Sequence, residues 1–427
     1  MMGWEGTVKL CLIADGRSAI AQNWIRYLLK AGHEVHLVSS YPCDPTVLPV
    51  ASLHIAPIAF SWFGSQSVKQ NSVPSETVGE AQRWMTLTKK ACLPLCSHVR
   101  HWLGPLDVYR YVGRIRQLLT RLQPELVHAM RIPFEGMLAA EALQGQQTPL
   151  IVSVWGNDFT LHAQGSPLIG YLTKRTLARA DGLHPDCHRD LTLAHQWGFA
   201  ASKPAVVLPS GGGIQTDLFR PGSVEHLWAE RLAIPSGTPV VLNPRGIRGY
   251  VRNDTFFQAI PLVLKSKPSV IFLGLAMQEA RMAHDWVERL SIAHAVRLLP
   301  AVSRPEMAAL FRLADVAVSP SEHDGTPNTL LESMACGAFP VAGNIESVRE
   351  WLDDGVNGLL CDQRSPESLA AAILRALEDH ELRKRAEVHN QRLIAERAEH
   401  LAVMTQAEAF YRQFCHPLTD SHVNTAH

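Results

Sequence analysis

Ser319-Pro320-Ser321-Glu322-His323-Asp324-Gly325-Thr326-Pro327-Asn328-Thr329-Leu330-Leu331-Glu332-Ser333-Met334-Ala335-Cys336-Gly337 follows the apolar run Val316 to Val318. The stretch reads as strand end, loop and short helix. Thr326 suits an N-cap, and Pro327 suits the first helical position, where a missing N–H costs nothing. Leu330, Leu331, Met334 and Ala335 share one apolar face, and Gly337 is a helix stop. The helix start then aims unpaired amides and partial positive charge at the mouth of a strand-loop-helix unit, an anion site for which phosphate is the usual guest. Two carboxylates flank it: Asp324 in the loop, and Glu332 on the helix flank away from the apolar face. Pro327 to Glu332 spans roughly 8 Å at about 1.5 Å per residue, so the two can address opposite ends of a diphosphate ligand.

This stretch resembles the donor-site motif of family 4 of the retaining glycosyltransferases, in which an acidic residue, seven residues and a Glu precede Ala-Met-Ala-Cys-Gly. Asp324 and Glu332 occupy the two acidic positions. The resemblance implies a GT-B fold: two Rossmann-like α/β domains facing across a cleft. It further implies that Glu332 holds the ribose of a nucleoside diphosphate sugar. Asp324 would contact the sugar near the reacting centre, and Gly325, Thr326, Asn328 and Thr329 would line the donor.

Bulk properties bound the alternatives. The chain has 427 residues, enough for two domains, with 46% apolar and 19% charged content and a formal net charge of zero. A general nucleic-acid binder is disfavoured. The first residues lack the basic start of a signal peptide, and no uninterrupted apolar run approaches about 18 residues. Eight scattered cysteines, with Cys92 and Cys96 the one close pair, read as reduced thiols without a zinc site. A cytoplasmic enzyme with no cofactor and no metal is expected.

The first half opens as β-α-β: Val8 to Ala14, a helix through Leu29, and Glu34 to Ser39. No Gly-x-Gly-x-x-Gly follows the first strand, which disfavours a dinucleotide-binding dehydrogenase. Gly16, with Arg17 and Ser18, either approaches donor phosphates, as the resemblance implies, or forms an ordinary βα turn. Residues 40–85 read as irregular loops with short strands. From 86 to 131, Lys89, Lys90, Arg100, Arg110, Arg114, Arg116, Arg121 and Arg131 are interleaved with Trp102, Tyr109 and Tyr111. That is either a basic amphipathic surface for the inner membrane face and a lipid-linked acceptor, or a solvated helix face. His128 matches the first position of the family's His-x-His pattern. Trp155-Gly156-Asn157-Asp158 resembles its Trp-Gly-x-Asp segment. Trp155 can stack on a sugar; Asp158 either binds an acceptor hydroxyl or caps the next helix; both, with Arg131, are placed on the acceptor side. His184-Pro185-Asp186-Cys187-His188 is read as a strand-to-helix turn rather than a metal site.

Ser210-Gly211-Gly212-Gly213-Ile214 suits a hinge. The expected division is 1–215 for the acceptor-side domain, 216–390 for the nucleotide-sugar domain, 391–413 for a helix crossing back, and 414–427 for a disordered tail. Pro244-Arg245-Gly246-Ile247-Arg248-Gly249-Tyr250-Val251-Arg252 follows a strand. There the family clamps the diphosphate with an Arg and a Lys. Arg245 matches the Arg, while Arg248 and Arg252 bracket the Lys. The leading reading is a retaining transferase in which Arg245, Arg248 and the helix amides stabilise the leaving diphosphate and Asp324 serves the reacting sugar. The alternatives are a nucleotide-sugar epimerase of the same fold and a non-catalytic scaffold.

Overall fold

The computed structural model describes residues 6–59, 61, 93–222 and 226–415; for 93–101 and 226 it describes the backbone only. Lys89, Lys90, the Cys92/Cys96 pair, the Arg100 side chain and the tail beyond 415 lie outside what is described. The chain divides into two compact units. The first takes residues up to 186, 190–211 and those from 404 onward; the second takes 187–189 and 212–403.

Each unit is built on a six-stranded parallel sheet. In the first, the strands are β1 (Lys9–Ala14), β2 (Glu34–Ser39), β3 (Ser52–Ile55), β4 (Leu126–Ala129), β5 (Leu150–Val154) and β6 (Gly182–Pro185). In the second they are β7 (Val240–Asn243), β8 (Ile271–Gly274), β9 (Val296–Leu298), β10 (Val316–Ser319), β11 (Phe339–Gly343) and β12 (Leu359–Cys361). The spatial orders are β3-β2-β1-β4-β5-β6 and β12-β11-β10-β7-β8-β9. Both are the doubly wound Rossmann order, which reverses direction between β1 and β4 and between β7 and β10. Loops leaving the carboxyl ends of those four strands therefore border the two crevices where such sheets take ligands.

The short apolar runs become strands because both sheet faces are covered. Alternation sorts their side chains: Val240 and Leu242 enter one core with Leu331 and Met334, while Val241 enters another with Phe272 and Val341. The helix Ala19–Lys30 buries Ala21, Trp24, Ile25 and Leu28, one helical stripe. The described cysteine side chains are free thiols.

Four features differ from the sequence reading. The key helix starts at Asn328, one residue late. Pro327 sits at the cap position, and the Thr326 hydroxyl accepts from Trp351 Nε1 at 3.1 Å. The stretch 391–413 is not one helix. His380–Arg397 and His400–Arg412 are separated because Ile214 intercepts the backbone, donating to Ala398 O at 2.7 Å and accepting from His400 N at 3.0 Å. The strand β12 was not expected. Finally, the basic stretch forms the helix Leu93–Leu122, whose cations and aromatics do not share one role. Arg116 donates to the carbonyls of Glu141 and Ala142, Arg110 pairs with Asp107 at 3.1 Å, and Tyr111 packs on the core, while Trp102 and Tyr109 are exposed.

His128 is a core residue of the first unit. Its partners fix every proton along a chain. His184 Nε2–H donates to Leu208 O (3.1 Å), so His184 Nδ1 accepts from Ser153 (2.9 Å). Ser153 Oγ then accepts from His128 Nε2–H (2.8 Å), and His128 Nδ1 accepts from Tyr411 O–H (2.6 Å). Burial holds both imidazoles neutral, pushing His184 down to about 4. The unfolded chain binds protons near 6.5, so this contribution is complete above that pH and is lost as pH falls toward about 4. Tyr411→Phe strands the His128 acceptor and is expected to lose about 1–3 kcal/mol. His184→Gln is expected to flatten the decline of the thermal midpoint between pH 6.5 and 4; an unchanged slope, read by calorimetry across that range, would contradict the assignment.

Candidate functional site

In the second unit the loops after β7 and β10 are stitched together by backbone. Arg252 N donates to Pro320 O (3.1 Å), and Glu322 N donates to Tyr250 O (2.9 Å). Gly246, at φ +65°, makes the turn that sends the first loop across. Buried Asn243 accepts from Arg245 N at 3.0 Å, setting the direction of that side chain. Arg245 then meets Asp324 at 2.6 Å and the Thr329 hydroxyl at 3.2 Å. The two charged side chains are 9% and 15% exposed, and Arg245 Nε is buried with no hydrogen-bond partner among the described residues. Ser347 Oγ donates to the Asp324 carbonyl at 2.7 Å, so the loop is braced from behind. Three residues singled out from sequence thus converge at the sheet's reversal point, beside the leading amides of Asn328 and Thr329. Gly325 and Thr326 are buried in the same turn.

The two candidates for a second cation separate. Arg252 is held by Asp254 (2.6 Å) and Glu322 (2.9 Å), and Glu322 also takes Arg364 at 2.5 Å. Arg248 is exposed and donates to Tyr250 Oη at 3.0 Å. Arg248 is the guanidinium open to a ligand.

Glu332 is not the solvated residue its helix position suggested. The neighbouring helix Arg304–Leu313 covers it, and its side chain is 13% exposed. Arg304 lies 3.7 Å from its carboxylate and 5.2 Å over the Phe219 ring. Burial pushes the Glu332 carboxyl up to about 7, and Arg304 opposes the shift. Sequence reasoning missed Arg304. Its signal was the capping box Ser303/Glu306, which fixes that helix start and so the placement of its first residue.

The first unit has its own pocket at the carboxyl ends of β1 and β4. Its volume is about 340 Å³, and its lining includes Asp15, Tyr41, Arg131, Phe134, Glu135 and Trp155, with Ser18 and His162 among the polar groups. Trp155 and Arg131 therefore come together, the guanidinium 5.0 Å from the indole. Asp158 neither lines the pocket nor caps a helix through its side chain. Its buried carboxylate accepts from Arg131 (2.7 Å), Ile132 N (3.2 Å) and Trp155 N (3.1 Å), clamping the loops after β4 and β5. Burial pushes its carboxyl up, against the pull of Arg131. Gly16 is a packing glycine. A Cβ there would meet Cys43 Sγ at 2.7 Å and Ser39 Oγ at 2.9 Å. Arg17 is bound in both arms to Asp15 at 3.1 Å. Tyr41, Phe134 and Glu135 were missed from sequence. Their signal was position alone: each follows the carboxyl end of β2 or β4.

Glu332 ionises at a higher pH in the folded chain than its ordinary 4.5, so its burial costs stability as pH rises from 4.5 through about 7. Glu332→Gln is expected to raise the thermal midpoint of the ligand-free protein at pH 8, by up to about 3 kcal/mol equivalent, and to change little at pH 4.5. Equal midpoints at pH 8 would show the carboxylate to be solvated.

Comparison with known proteins covers both units. Residues 15–211 match the family described as "Glycosyl transferase 4-like domain", and residues 225–392 match "Glycosyl transferases group 1". A D-inositol 3-phosphate glycosyltransferase of Thermobispora bispora is 28% identical over 177 residues, covering 39% of this chain and 41% of that protein. One from Kineococcus radiotolerans is 31% identical over 206 residues, covering 44% and 46%. The chain thus spans less than half the length of these curated relatives. Among solved structures, the sucrose-phosphate synthase of Thermosynechococcus elongatus superposes with a TM-score of 0.72 at 15% identity, covering 95% of this chain and 98% of that one. Anabaena HepE in complex with UDP-glucose superposes at 0.67 and 16% identity, covering 95% and 100%. At such identities the likeness is one of fold.

Proposed function

We propose, from a glycosyl transferase 4-like match over residues 15–211 and a glycosyl transferases group 1 match over residues 225–392, that the chain moves a sugar from a nucleoside diphosphate sugar to a hydroxyl-bearing acceptor. The convergence of Arg245, Asp324 and Thr329 at the reversal point of the second sheet carries the reading. The nucleoside diphosphate lies along the start of the helix Asn328–Cys336. Its phosphates meet the amides of Asn328 and Thr329 and the guanidinium groups of Arg245 and Arg248. Glu332, ionised above about pH 7, accepts from the ribose hydroxyls. Asp324 faces the donor sugar, either orienting it or opposing positive charge at the anomeric carbon.

As the bond to the leaving group breaks, charge grows on the diphosphate. Two guanidinium groups and a helix start supply the compensating field, the role a metal ion can otherwise play. The chemistry is therefore proposed to be metal-independent and to need no resident cofactor. It is proposed to retain anomeric configuration, with the acceptor attacking the face the leaving group departs from and no enzyme nucleophile. Uridine diphosphate is the first nucleotide to try, since HepE is described bound to UDP-glucose. The acceptor is a sugar or a lipid-linked glycan in polysaccharide assembly. No helix among the described residues is long and apolar enough to cross a membrane. A cytoplasmic protein touching the inner membrane face through Trp102, Tyr109, Arg110 and Arg114 fits the exposed part of its helix.

The deciding measurement is nucleoside diphosphate binding and acceptor-dependent release, with product anomers assigned by NMR. Arg245→Ala is expected to cut turnover by about 100- to 1,000-fold. Arg248→Ala is expected to weaken nucleotide affinity by about tenfold or more. Arg252→Ala should lower the thermal midpoint and leave affinity nearly unchanged. Wild-type affinity should rise as pH climbs through about 7, beyond the rise seen in Glu332→Gln. No nucleotide binding, or release that ignores every acceptor, would sink the transferase reading.

A further inference from the structure

The first-unit pocket has a chemistry of its own. At about 340 Å³ it lies near the lower end of ligand-site sizes, room for one ring rather than an extended glycan. Tyr41, Phe134 and Trp155 give it aromatic walls, and Asp15 and Glu135 give it carboxylates. Its described lining holds one guanidinium, Arg131, which already meets Asp158 at 2.7 Å and Asn157 at 3.3 Å, and a second, Arg17, lies 3.7 Å over the Tyr41 ring and is paired with Asp15.

We infer that this pocket takes a single uncharged, hydroxyl-rich ring as the acceptor and discriminates against its phosphorylated forms. The inference rests on the transferase reading, whose acceptor it names. A flat apolar ring face packs on aromatic walls, and ring hydroxyls donate to carboxylates. A phosphate dianion would instead enter beside Glu135 and an Asp15 whose charge Arg17 already offsets, and would compete with Asp158 for Arg131. Like charges at such range repel, and the partly desolvated wall strengthens that repulsion.

Two further observations support a ligand here. The Trp155 indole N–H is buried and meets no acceptor among the described residues, although it belongs to a lining side chain. Such a donor is costly until an oxygen reaches it. The turn after β4 is also strained. Arg131 sits at φ +129°, and Phe134 at φ +68°, ψ −62°, the rare form of the γ-turn. Non-glycine residues persist in such conformations chiefly where function keeps them. Glycine would relax this backbone but would remove two walls of the pocket.

The test is saturation-transfer NMR on the full chain, with and without UDP. Its probes are myo-inositol and methyl α-glucopyranoside against inositol 1-phosphate and glucose 6-phosphate. The neutral probes are expected to bind at least tenfold more tightly than the phosphorylated ones. Trp155→Phe keeps an aromatic wall but deletes the N–H; it should weaken the neutral probes several-fold with an unchanged thermal midpoint. Glu135→Gln should narrow the discrimination. The inference is overturned if phosphorylated probes bind as well or better, if neither class binds, or if Trp155→Phe binds like wild type. Nucleotide binding, read separately through Arg248→Ala, reports on the second unit. Loss of this inference is thereby told apart from loss of the transferase reading.

Discussion

The Arg245–Asp324 ion pair spans the place where the second sheet reverses its strand order. Arg245 follows β7 and Asp324 follows β10, and at 2.6 Å the pair closes the gap between their loops. A mostly buried ion pair gains from its Coulomb attraction only when geometry and hydrogen bonds are good. Asn243 below, Thr329 beside and Ser347 behind supply that order. The arrangement also leaves Arg245 Nε buried without a hydrogen-bond partner among the described residues. A group held this rigidly needs little reorganisation when charge develops next to it.

The first sheet carries a second Arg–Asp pair with the opposite consequence. Arg131 follows β4 and Asp158 follows β5, and the pair is as short, at 2.7 Å. Here the carboxylate is wholly buried and also accepts two backbone N–H groups. Its capacity is spent on joining two loops, whereas Asp324 keeps some exposure, at 15%. The same residue types at comparable sheet positions thus yield a clamp in one unit and a candidate reactive site in the other. Burial and the count of competing donors decide which.

That distinction explains what was legible in the sequence. Strands were readable because parallel sheets bury both faces and leave short apolar runs, and Gly337 marked a real left-handed helix end at φ +90°. The meeting of Asp324 with the start of the helix Asn328–Cys336 was readable because strand end, loop and helix start are contiguous in the chain. Partners distant in sequence were not. Glu332 looked solvated because Arg304, 28 positions earlier, was not identifiable as its neighbour. Arg252 looked like a free phosphate ligand until Asp254 and Glu322 closed on it. The Ala398–Glu399 break depends on Ile214, nearly two hundred residues away, and no local propensity encodes it. Asp158 had two plausible local roles, and a long-range ion pair displaced both.

The two units also hold their loops by different physical means, and the difference tracks what each loop must present. The second unit fastens its loops with backbone cross-links and lets Gly246 make the turn, which leaves the peptide amides and guanidinium groups as the groups proposed to recognise a ligand. A ligand site built on backbone and charge suits a chemically constant group such as a diphosphate. The first unit bends its chain at Arg131 and Phe134, which resist that conformation, because their side chains form the wall itself. A wall of side chains can be altered by substitution without disturbing the sheet beneath it. Under the proposed reading, variation in acceptor is therefore cheapest at the turn after β4, while the loops after β7 and β10 can change little before the sheet's reversal point loses its charge balance.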